Sequence, residues 1–104
     1  MPAASPSLAR APAHVLELPE ILDLKAVTPL ALEFLARRGA ELEVDASRVR
    51  RLGAQCLQVL LSAAMTWRAD DVPLTFADPS PDFLDGLTLL GMEASDLIDQ
   101  DLPR

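Results

Sequence analysis

The sequence predicts a single α/β domain built on a mostly parallel sheet. Three observations carry this expectation. Short apolar runs with strand character recur at residues 14–18, 41–45 and 72–77. Each is followed by a longer stretch whose apolar residues recur at helical spacing. The resulting order, strand–helix three times over, implies helices packed on a parallel sheet through right-handed crossovers. A chain of 104 residues supports one domain, and 50% hydrophobic residues are enough to fill its core. With aromatics at 4%, that core must come mainly from Leu, Val, Ala and Ile.

Residues 1–12 are rich in Pro, Ala and Ser, have no period, and read as a disordered tail. Residues 14–18 (HVLEL) form a strand with Val15 and Leu16 as its apolar members, limited by Pro19. Ile21 and Leu22 add a second short strand or an extended link. The first helix spans residues 25–38, capped either by Asp23 or by Thr28 with Pro29 at the first position. Leu24, Val27, Ala31, Phe34 and Leu35 make its core face, and Gly39 stops it behind Arg37 and Arg38. Residues 41–45 (ELEVD) are a strand with Leu42 and Val44 on one side.

A basic loop follows, then a second helix over residues 54–68. Its polar residues Gln55, Gln58, Ser62 and Thr66 form one narrow stripe, so core wraps the rest of its circumference. Its first residues (Gly53, Ala54, Gln55, Cys56) are expected to face outward. Residues 72–77 (VPLTFA) are the third strand, and Asp78-Pro79 turns the chain. Ser80 caps the third helix, with Pro81 at its first position and Asp82 in its first turn. Phe83, Leu84, Leu87 and Leu90 face the core, and Gly91 ends the helix. Leu97 and Ile98 make a last edge strand or turn, and residues 101–104 fray.

A net charge of −7 argues against binding nucleic acid or an anionic membrane. The charge is uneven: residues 37–51 hold five arginines and three acids, residues 70–104 nine acids and one base. A basic middle and an acidic end suit a charged protein partner; a merely solvated surface is the alternative. The single cysteine, Cys56, excludes an internal disulfide and a Cys-based metal cluster, and suits a reducing cytosol. With no apolar run of about 18 residues and no signal-like start, the expected location is cytoplasmic, without membrane insertion.

Catalytic signals are few. His14 is the only histidine, and no H-x-x-H, C-x-x-C or H-E-x-x-H spacing and no glycine-rich phosphate loop occurs. No cofactor or metal is expected. Cys56, at a helix start near Arg50 and Arg51, would favour a thiolate. It has no histidine near it in sequence, and a packed core cysteine is the stronger reading. Cys56 with His14 is the one nucleophile–base pair available to an enzyme. The acids Asp70, Asp71, Asp82 and Asp85 read as solvated loop and first-turn residues.

Four segments add a family likeness. Asp45, Ala46, Ser47, Arg48 and Val49 stand where an Asp-Leu-Ser-Gly-Val-like segment closes a strand. Gly53, Ala54, Gln55, Cys56, Leu57 and Gln58 stand where a helix begins Asp-Ser-Ser-Gly-Leu-Gly. Residues 83–92 (FLDGLTLLGM) match a helix ending in Leu-Thr-Gly-Leu, and residues 23–29 (DLKAVTP) match the start of a first helix. With these segments in the family's order along the chain, residues 14–99 resemble the STAS domain of bacterial anti-sigma factor antagonists and related signalling modules.

The resemblance implies a STAS-like domain over residues 13–100, with a mixed, mostly parallel sheet of about four strands and three to four helices packed mainly on one face. It also implies a non-catalytic interaction module that docks through the basic loop and the start of the second helix, at Ser47, Arg48, Arg50, Gly53, Ala54, Gln55, Cys56 and Gln58. In phosphorylated family members a kinase modifies the second serine of that helix start. Here the residue is Gln55, whose amide cannot take a phosphoryl group, and the capping aspartate is replaced by Gly53. Ser47, Ser62 and Thr28 offer other hydroxyls, none favoured. The chain looks like the small STAS proteins of bacterial chemotaxis gene clusters, which implies a histidine kinase, a response regulator or an anti-sigma-type kinase as partner. Two alternatives are the STAS subunit of an ABC-type lipid transporter, which usually keeps Thr or Ser at the helix start, and an antagonist with a different phosphosite.

Overall fold

Side chains alternate across a strand, and in residues 42–45 this sends Leu42 and Val44 to one side, where both are fully buried. Leu16, Leu74 and Phe76 are buried in the same way on neighbouring strands, while Glu43, Asp45 and Thr75 between them remain partly exposed. The sheet is therefore one-faced, and the helices cover its apolar side. A computed structural model describes residues 15–97. The order is β1 (Val15–Glu17), β2 (Ile21–Leu22), a 3-10 turn (Leu24–Ala26), α1 (Val27–Ala36), β3 (Leu42–Asp45), β4 (Arg51–Leu52), α2 (Ala54–Ala69), β5 (Leu74–Ala77), α3 (Pro81–Leu89) and α4 (Ala94–Leu97). The tail assigned to residues 1–12, His14, Ile98 and the fraying at residues 101–104 lie outside the described residues.

All described strand pairings are parallel, as the alternation predicts. They form a three-stranded sheet, β1-β3-β5, in which Leu16 pairs with Val44 and Val44 with Phe76, and a separate two-stranded ladder, β2-β4. The division has a local cause. Leu18 still donates to Asp45 O at 2.9 Å, and Pro19, its φ fixed by the ring, ends the strand there. The chain steps aside, and Glu20 O accepts from both Arg50 N and Arg51 N, at 2.8 and 3.1 Å. β2 then pairs with β4, a strand too short for its sequence to announce.

Asp23, not Thr28, caps the first helical segment: its Oδ1 accepts from Lys25 N at 3.1 Å. The buried stripe of α1 is also rotated from the expected one. Leu30 and Phe34 are buried and Val27 partly so, whereas Leu24 and Leu35 are 73% and 65% exposed. Apolar residues run almost all round this helix, so spacing alone did not single out the face. Phe34 meets Trp67 of α2 edge to face, with ring centroids 6.0 Å apart, and Trp67 Nε1 donates to Ala40 O at 2.7 Å. The Arg38 guanidinium closes the same end with two bonds to Asp70, at 2.9 and 3.1 Å.

α2 runs as expected, with Gln55, Gln58 and Ser62 exposed, Thr66 partly so, and Leu57, Leu60, Ala63, Ala64 and Trp67 buried. Each fully buried leucine contributes roughly 1.5–3 kcal/mol. Met65 departs from the pattern and is exposed. The helix ends in a Schellman-type turn, with Val72 N donating to Trp67 O and Asp71 at φ 62°. That turn consumes Val72, so β5 begins at Leu74.

Ser80 caps α3 with Pro81 at the first position, and Gly91 follows its end, both as expected. Phe83 and Leu87 are buried, but Leu84 is only half-buried and Leu90 is exposed; Gly86 takes the core position instead. A Cβ on Gly86 would lie 2.9 Å from Leu52 Cβ, so α3 approaches β4 as closely as only glycine permits. The edge strand or turn expected at residues 97–98 is corrected: residues 94–97 are the short helix α4. Asp96 closes it by accepting from Glu93 N through its side chain, at 3.1 Å, which turns Leu97 fully into the core.

Gly86→Ala is expected to lower unfolding stability by about 1–3 kcal/mol through overpacking against Leu52, despite alanine's better helix propensity. Urea titration monitored through Trp67 reads this. Thr88→Ala, at an exposed site on the same helix, should stay within about 0.5 kcal/mol of the parent.

Candidate functional site

The chain leaves β3 through a tight turn. Asp45 Oδ1 accepts from Ser47 N at 2.9 Å, an Asx-type turn. That N–H, then the Ser47 hydroxyl, holds the Asp45 carboxyl below the ordinary carboxylate range; partial burial opposes them and Arg48 adds a smaller pull downward. Ala46 and Val49 are buried, so Ser47 and Arg48 between them stand in solvent. Arg48 lies 3.6 Å from a Glu17 carboxylate oxygen and Arg50 3.7 Å from one of Glu20. Long, exposed pairs of this kind are weak and exchange readily.

β4 carries the chain into the start of α2. Gly53 is the cap residue, with no side-chain cap bond; its N donates to Leu22 O at 2.8 Å and its O accepts from Leu57 N at 3.0 Å. A Cβ here would sit 3.0 Å from Leu22 O. A side chain here would crowd that carbonyl, and Gly53 avoids the contact. Ala54 and Gln55 are exposed on the first turn.

Cys56 is corrected from the outward-facing set. It is 1% exposed, and its Sγ donates to Asp23 O at 3.3 Å. Burial, then the nearby Asp23 charge, pushes the thiol above its ordinary range, the reverse of an activated thiolate. Cys56 is thus a packed core residue, and its nominated base, His14, lies outside the described residues.

The expected residues fall into three neighbourhoods. Ser47, Arg48 and Arg50 lie along the loop, with Glu17 and Glu20 as the arginines' partners. Gly53, Ala54, Gln55 and Cys56 line a depression of about 380 Å³ together with Asp23 and Leu24. Gln58 lines a groove of about 320 Å³ between α1 and α2, with Leu35 and Ser62 also on its walls and Phe34 and Trp67 at its base. Asp23 and Leu24 were not expected in the site. Their signal was the segment at residues 23–29, which matched a family helix start without indicating what it faces. The Asp23 carboxylate beside this helix start disfavours a bound anion, although a bare helix N-terminus would otherwise attract one. Among the described residues there is no cluster of three or more metal-ligating side chains, and no helix is long and apolar enough to cross a membrane.

A family model described as "Mlab, STAS domain" matches residues 7–99. No curated protein and no solved structure gives a match.

Native Cys56 is expected to react with a thiol reagent such as DTNB far more slowly than the urea-unfolded chain; equal rates would contradict its burial. A pH dependence also follows. The Asp70 carboxyl is lowered by its hydrogen bonds to Arg38, and that of Asp45 by Ser47. Both titrate lower in the fold than in the unfolded chain, so their stabilisation is fully present above the ordinary carboxylate range near about pH 4 and is lost as pH falls through the folded values. Thermal unfolding midpoints should therefore fall below about pH 5, less steeply in Asp70→Asn than in the parent.

Proposed function

The chain belongs to the STAS domain family, and from that premise we propose that it is a cytoplasmic, non-catalytic protein-interaction module of bacterial signalling. It docks through the loop at residues 47–50 and the first turns of α2, and its partner is a histidine kinase, a response regulator or an anti-sigma-type kinase. The chemotaxis-cluster resemblance favours the first two.

Gln55 is the observation that carries the reading. It is exposed on the first turn of α2, at the position where phosphorylated relatives carry the serine that their kinase modifies. Its amide donates and accepts hydrogen bonds but neither titrates nor takes a phosphoryl group. Binding at this face is therefore constitutive, and occupancy of the partner, not modification of Gln55, is the signal. Arg48 and Arg50 support the reading, because their loose pairs with Glu17 and Glu20 leave both guanidiniums able to meet carboxylates of a partner.

A second reading is the STAS subunit of an ABC-type lipid transporter. Gln55 counts against it, since those subunits usually keep a hydroxyl there. An antagonist with a different phosphosite would use Ser47, Ser62 or Thr28, all exposed.

Titration of histidine kinases and response regulators from the source organism against the purified chain tests the proposal. Saturable binding is expected, weakened about tenfold or more by Gln55→Arg and unaffected by Asp85→Arg on α3. Binding only to a transporter ATPase would favour the second reading. A phosphate adduct by intact mass, after incubation with a cognate kinase and ATP, would favour the third.

A further inference from the structure

We propose that Ser80 is a positioning residue for the docking loop, holding the backbone of residues 46–49 in the turn that presents Ser47 and Arg48 to solvent. The proposal deepens the docking reading above and rests on it.

Ser80 reaches the loop from a distant part of the chain. Its Oγ donates to Val49 O at 2.6 Å and accepts from Phe83 N at 3.0 Å. Its own N–H donates to Ala46 O at 3.1 Å, while Ala46 N donates to Ala77 O at 3.1 Å. The segment 77–80 thus grips Ala46 from both its N–H and its carbonyl, and takes hold of Val49 as well. Ala46 and Val49 are buried anchors, and the two residues between them are exposed. Asp78 adopts φ 50° in the turn that brings Ser80 to this place.

The chemistry explains the residue type. Capping α3 needs only an acceptor for Phe83 N, which an aspartate would supply equally well. Gripping Val49 O needs a proton donor on the same side chain. A hydroxyl does both, with one proton and two lone pairs; a carboxylate cannot. α3 braces the far end of the same segment through the Gly86–Leu52 contact. A loop held at both ends binds with little further ordering, which suits a face that is always ready to dock.

Amide hydrogen exchange of the full chain, comparing Ser80→Asp and Ser80→Thr with the parent, separates the two roles. Ser80→Asp keeps the cap on α3 but has no proton for Val49 O. Peptides covering residues 46–52 are expected to exchange about tenfold faster, with α3 unchanged. Ser80→Thr, which keeps both bonds, should match the parent. Parent-like loop exchange in Ser80→Asp would overturn the proposal, as would equal acceleration of loop and α3, which marks a general structural role. The readout needs no partner. A loosened loop in Ser80→Asp, with partner binding indifferent to substitution of Arg48, Arg50 and Gln55, would uphold the positioning role while removing the docking reading.

Discussion

The start of α2 is set by the close approach of two backbones. β2 and β4 pair in parallel, Gly53 N donates to Leu22 O, and a Cβ at Gly53 would lie 3.0 Å from that carbonyl. Much of the candidate surface follows from this contact. It places the first turn of α2 beside the 3-10 turn, so Cys56 is drawn inward onto Asp23 O while Ala54 and Gln55 stay outside. It also sets Leu52 where α3 can lie against it, with Gly86 as the only residue type that fits. Where the family pattern has a capping aspartate and a phosphorylatable serine, this chain has Gly53 in close backbone contact and an exposed Gln55.

The surface this produces is composite. The loop carries positive charge that is only loosely neutralised, the helix start is neutral beside the Asp23 carboxylate, and the α1–α2 groove is largely apolar. Such a mixture suits the proposed protein partner better than a small anion. It is held by backbone bonds and core anchors, whereas the groups that would meet a partner, Arg48, Arg50, Gln55 and Gln58, are exposed side chains. Rigid support under mobile contact groups lowers the ordering cost of association without fixing every contact in advance.

How much was legible in the sequence depended on whether the deciding chemistry was local. The Ser80-Pro81 cap, the Gly91 stop, the polar stripe of α2 and the buried Leu42 and Val44 were all legible, since each rests on a few adjacent residues. β4 was not, because two residues become a strand only when residues 21–22, far back in the chain, pair with them. The orientation of α1 was ambiguous because Leu30, Leu32, Phe34 and Leu35 offer apolar side chains in several directions, and packing buried Leu30 and Phe34, the latter against Trp67. Within the site, Gln55 was correctly expected outside. Cys56, one residue on, was expected with it, although a step of one residue turns a helix by more than a quarter. The contribution of Leu24 and Asp23 could be seen only once the 3-10 turn was folded beside α2.

The central claim is that this STAS domain presents a constitutive docking face across the 47–50 loop and the first turns of α2. The most direct measurement is an amide chemical-shift map of the isotope-labelled chain as a histidine kinase or response regulator of the source organism is added without nucleotide. The account predicts that shifts concentrate at residues 47–58 and at Asp23 and Leu24, with α3 and α4 little changed. A footprint centred on α3 and α4, or one that forms only after the chain is phosphorylated, would contradict it.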